Sequence, residues 1–124
     1  MATSSSTSYD LAGFGHQNGE AVSASTKTLG ITDQGDVQNV TVDSVITLPA
    51  TVVGYTFTIR VGAPGLDVAI SPNSADLIAG AGFTAADDTD ISFINQPAGS
   101  WITLVGNGTT GWNIVGYSGQ LTQD

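Results

Sequence analysis

The chain has 124 residues, 40% of them hydrophobic, which suits a single core; a globule of this size buries roughly 65–70% of the surface its unfolded chain exposes. Charged residues make up only 10%, against about 25% in a typical domain, and Lys27 and Arg60 are the only bases against 11 acids, for a net charge of −9. That balance argues against nucleic acid and anionic membrane surfaces as partners, since both need a patch of cations, and the lack of cysteine excludes disulfides and thiolate metal sites.

Residues 1–28 are rich in Ser, Thr, Gly and Ala, with no sustained period of two or 3.6. They read as an extended or disordered N-terminal arm before a single β domain over 29–124. The start, MATSSSTSYD, lacks the basic and apolar regions of a secretory signal, and no run reaches the ~18 apolar residues of a membrane span. Tyr9, Leu11 and Phe14 form a short apolar cluster within the arm. Either they fold back onto the domain or they dock on another subunit as an anchor.

From Leu29 onward the grammar is that of an all-β protein: strand-length apolar runs separated by Gly, Pro and Asn turns, fitting a compact β-sandwich or barrel-like domain. QNVTV and VITLP come first, the latter closed by Pro49. In YTFTIRV, Tyr55, Phe57, Ile59 and Val61 share one face and Thr56, Thr58 and Arg60 the other, which predicts a half-buried strand. GAPG at 62–65 then leads to Leu66, Val68 and Ile70 in alternation, so a hairpin is expected between these two strands. ADLIAG reads as a short strand, AGFTAADD has room for a turn or two of helix, and ISFI is a further strand ended by NQPAGS. WITLV and WNIVGY flank GNGTTG as a terminal hairpin.

Few residues invite chemistry. GNGTTG matches the G-x-G-x-x-G string of dinucleotide sites, but a phosphate cradle needs a helix after the glycines and here a strand follows. Gly106, Gly108 and Gly111 are accordingly expected to supply positive φ angles in a hairpin loop. Asp87, Asp88 and Asp90 suggest calcium, yet the spacing fails the EF-hand pattern and a solvated acidic turn is the plainer reading. His16 is the only histidine and Glu20 the only glutamate, both in the arm, so a triad lacks a scaffolded base and a paired-carboxylate site would have to rely on Asp alone. No catalytic residue, cofactor or metal is called for. Trp101, Trp112 and Tyr117 read as core or interface anchors in preference to a sugar-stacking platform. Arg60 is expected to pair with a neighbouring carboxylate.

The order ITLPATVVGYTFTI, AISPNSADLIAGAGFTAADD, ITLVGNGTTGW resembles a family of small tailed-bacteriophage head proteins that decorate, or cement, the capsid, with related β modules in phage fibres. Leu48, Pro49, Gly54, Thr56 and Ile59, then Ser71, Pro72, Asn73, Asp76, Ile78 and Gly80, then Leu104 to Gly106, Gly108, Gly111 and Trp112 carry it, within residues 38–117. One departure is NQPAGS, which lacks the charges that members carry before the last hairpin. The resemblance implies a non-enzymatic protein on the outer surface of the virion, trimeric at three-fold or quasi-three-fold positions, whose partners are the major capsid protein and itself. A receptor- or glycan-binding fibre module is the alternative.

Overall fold

The computed structural model describes residues 7–10 and 16–124, with side chains from Gly19 onward. It is nearly all β, two sheets packed face to face, as the alternation of apolar and polar residues requires. The strands are β1 (Thr7–Asp10), β2 (His16–Val22), β3 (Thr26–Thr28), β4 (Val37–Val40), β5 (Ser44–Thr47), β6 (Thr56–Val61), β7 (Leu66–Ser71), β8 (Leu77–Ala79), β9 (Ile91–Gln96), β10 (Trp101–Gly106), β11 (Gly111–Ser118) and β12 (Leu121–Gln123). A seven-stranded sheet has the order β1-β2-β4-β6-β10-β11-β8, and a five-stranded sheet the order β12-β9-β7-β5-β3.

From β2 to β7 the chain changes sheet at every step. Consecutive strands therefore stack on one another, and their in-sheet neighbours, two strands away in sequence, are parallel: β2 with β4, β4 with β6, β3 with β5, β5 with β7. The hairpin expected between YTFTIRV and LDVAI is not formed, since β6 and β7 lie in different sheets. The reason lies at Gly62. Its N–H bonds the Val40 carbonyl at 2.7 Å, continuing the ladder with β4, and a Cβ there would meet that oxygen and the Asn39 side chain. Among the described residues only β1–β2 and β10–β11 pair consecutive strands, so the terminal hairpin is as expected. In the five-stranded sheet β9 pairs antiparallel with both β7 and β12.

Residues 16–28, expected in the arm, carry two strands of the sheets, and Val22 is in the core. AGFTAADD forms turns and irregular backbone; the sole helical element among the described residues is a 3₁₀ turn at Ile31–Asp33.

The core lies between the sheets, with Phe57, Ile59 and Trp112 from one and Ile46, Val68 and Phe93 from the other, all fully buried. Each such side chain contributes about 1.5–3 kcal/mol relative to exposure. The opposite face of β6 is not open as expected. Thr58 is buried and its hydroxyl bonds that of Thr103 at 2.8 Å, while Trp101 of β10 packs with Val37 of β4 across the intervening strand. Two ladders skip a residue: Val115 bulges from β11 and Asn95, at φ 53°, from β9, each turned out to solvent.

Candidate functional site

Because β2, β4 and β6 are parallel, the segments preceding β4 and β6 lie at one end of the sandwich, together with the tip of the β10–β11 hairpin. This end is tied by side chains acting on backbone. Asn107 Oδ1 accepts the N–H groups of Thr109, Thr110 and Gly111 at 2.9, 2.9 and 3.0 Å. Thr51 Oγ1 donates to the Gly111 carbonyl at 2.6 Å and accepts the Gly108 N–H at 3.0 Å, and the buried Asp76 carboxylate accepts the Thr51 N–H at 2.9 Å. Every amide that could cradle a phosphate in GNGTTG is thus engaged, which removes the dinucleotide reading on geometric grounds.

Gly108 has the expected positive φ, 77°, and Gly111 sits at 151°. Gly106 does not; it is required because the Val52 carbonyl lies where its Cβ would be. Three apolar side chains stand out at this end: Val53 is 73% exposed, Ile31 69% and Val52 42%. Neither 49–55 nor 107–110 contains an ionisable acid or base other than Tyr55.

The candidate aromatics separate. Trp112 is fully buried, its ring 5.4 Å from that of Phe57, with its Nε1 buried and unpartnered; Trp101 is nearly buried; Tyr117 is exposed. No stacking platform joins the three, and an interface role is left to Tyr117 alone. Tyr9 lies in β1, opposite Gln17, while Leu11 and Phe14 fall outside the described residues. Asp87 and Asp88 are exposed on a turn with Asp88 at φ 58°, and among the described residues no three His, Asp or Glu side chains gather as metal ligands. Arg60 Nη1 donates to Asn39 Oδ1 at 2.6 Å.

A second site was not foreseen. Where β2 and β3 close one edge of the interior, Lys27 Nζ lies 3.2 Å from Glu20 Oε2 and 3.8 Å from Asp33 Oδ1. Asp33 Oδ2 accepts the Gly30 N–H at 3.0 Å. Gln38, beside Glu20 in the ladder, is fully buried with both amide atoms unpartnered, and Glu20 Oε1 is likewise buried and unpartnered. Burial pushes the Asp33 carboxyl up, the Gly30 N–H works against it, and the neighbouring Glu20 raises it further. Burial also opposes ionisation of Glu20, but the Gln38 amide, Asp33 and Lys27 outweigh it and hold Glu20 below the ordinary range. Gln38 exerts that influence by proximity, without an aligned hydrogen bond. The alternation of Gln38 with Val40 was the one sequence signal that this amide faces inward.

Compared with known proteins, the chain matches no family model and no curated protein.

Proposed function

We propose that the protein is a structural phage head protein that decorates and stabilises the capsid, binding the major capsid protein on the outer surface of the virion as a homotrimer at three-fold or quasi-three-fold positions. The motif-order resemblance suggests this reading, and one structural observation supports it above others: Ile31, Val52 and Val53 expose apolar surface at a single loop-built end. Single exposed apolar residues are ordinary, but several on one end, with Val52 and Val53 on a loop free of carboxylates and cations in a chain of net charge −9, suit contact with another protein. The acidic remainder would be drawn to a more basic shell, within a Debye length of about 8–10 Å. Burial of Trp101 and Trp112 weakens the glycan-binding alternative.

The test is co-sedimentation of the purified protein with expanded shells, alongside light scattering of the protein alone. Val52→Asp with Val53→Asp should abolish decoration and leave the circular dichroism unchanged. Undiminished decoration by this variant would remove the contact surface, and failure of the parent chain to bind any shell would remove the function.

A further inference from the structure

The edge cluster assembles parts that an ion pair alone does not need. Lys27 is the only lysine of the chain, yet it points between the sheets, with its side chain 27% exposed. It touches two carboxylates in different environments. Glu20 is within proton-transfer reach at 3.2 Å. Asp33, 13% exposed, turns Oδ1 toward the lysine and Oδ2 toward the Gly30 N–H. The pattern is that of a nucleophile beside a base and next to a carbonyl carbon whose far oxygen already has a donor.

We propose that Lys27 and Asp33 condense spontaneously into an intramolecular isopeptide bond, with Glu20 carrying the proton. The Lys27 ammonium gives a proton to the Glu20 carboxylate, and the freed Nζ electron pair attacks Cγ of the protonated Asp33 carboxyl. The tetrahedral intermediate places its oxyanion on Oδ2, against the Gly30 N–H. Glu20 returns its proton to Oδ1, the Cγ–Oδ1 bond breaks and water leaves, while the second Nζ proton passes to the freed Glu20 carboxylate and from there to solvent as the amide forms. The balance is one ammonium plus one protonated carboxyl giving one amide, one water and one proton released to solvent, with no oxidant, activated carrier or metal.

Three features favour the step. Burial raises Asp33, which favours the protonated, electrophilic form, while Gln38, Asp33 and Lys27 lower Glu20, which favours the ionised base. The buried Gln38 amide, with donor and acceptor both unpartnered, can receive the expelled water. Fixed proximity replaces a bimolecular encounter, and effective molarities of about 10⁵–10⁸ M for well-oriented groups offset the mass action of solvent water. The product ties β3, the edge strand of the five-stranded sheet, to the 3₁₀ turn that leads into β4. It is independent of the capsid reading.

Intact-mass spectrometry of the purified full chain, denatured before measurement and compared with Lys27→Arg, decides the matter. The Arg variant retains the charge but cannot form this amide, so it should show the full mass of its sequence. The parent chain should be one water lighter than its own sequence, and trypsin, which has only Lys27 and Arg60 to cut, should leave the bond after Lys27 intact. Glu20→Gln, with its β content checked by circular dichroism, should regain the full mass. A parent chain of full mass after prolonged incubation, with Lys27 open to trypsin and amine reagents once unfolded, overturns the proposal. So does the same loss of water in Lys27→Arg, and a loss that persists in Glu20→Gln overturns the role of Glu20.

Discussion

The stretch from β2 to β7 and the hairpin β10–β11 enclose the same apolar interior by different means. In the hairpin, two adjacent segments meet through a short loop whose own Asn107 satisfies three of its amides, so loop and register are set locally. In the β2–β7 stretch no strand pairs with its successor, and register depends on which residues face inward across two sheets. The interior of the locally closed part is apolar, built on Trp112 and Leu104. That of the crossing part opens at its edge into Glu20, Lys27, Asp33 and Gln38. The lesson is that strands held by long-range register tolerate polar residues where the first crossing, at β2 and β3, leaves the edge of the interior part-covered, and there such residues acquire chemistry.

If both parts share one core, truncation in the hairpin must unfold both. Trp112→Ala should cost about 3–5 kcal/mol and produce one cooperative urea transition by fluorescence and far-UV circular dichroism alike. Two separated transitions would break the comparison into two independent units. Thr51→Val removes the hydroxyl that bonds both Gly108 and Gly111, and should cost about 1–3 kcal/mol, with faster amide exchange confined to 107–111.

The seam between the two modes is β6, parallel to β4 and antiparallel to β10. There Thr58→Val or Thr103→Val alone orphans a buried hydroxyl, at about 1–2 kcal/mol, while the double variant should lie near the parent. A double variant as damaged as the sum of the singles would show that the pair contributes packing and not hydrogen bonding. On the polar edge, Gln38→Leu should fall within about 1 kcal/mol of the parent or be more stable, because it removes an unpartnered amide. A large loss there would mean that the amide has a bound partner.

The smallest effect is that of pH on chains in which Lys27 and Asp33 are still uncondensed. Asp33 is raised by burial, then by Glu20, and Asp36 by burial, then by Glu20 and Asp33. Their folded forms hold protons more tightly than the unfolded chain, so mild acidification from neutral should raise the urea midpoint as pH falls toward their ordinary value of 3.8. Glu20 is lowered, so its contribution is present above its ordinary 4.5 and lost as pH falls through its folded value. Asp36→Asn should flatten the rise; a midpoint that falls steadily from neutral would contradict it.

The sequence by itself determined that the protein is all β, that Tyr55 to Val61 turn one apolar face inward, that 101–118 close as a hairpin, and that GNGTTG is a turn. Those features depend on period-two alternation and on glycine and asparagine turn chemistry, which act over a few residues. Tertiary structure alone decided that β6 and β7 part into different sheets, that Thr58 is covered on its second face, and that Trp112 joins the core between the sheets while Trp101 is covered on the outer face beside Val37. It alone brought Lys27 between Glu20 and Asp33. Each of these rests on which distant strand lies alongside, and parallel neighbours linked through the opposite sheet leave no turn between them in the sequence to announce the pairing.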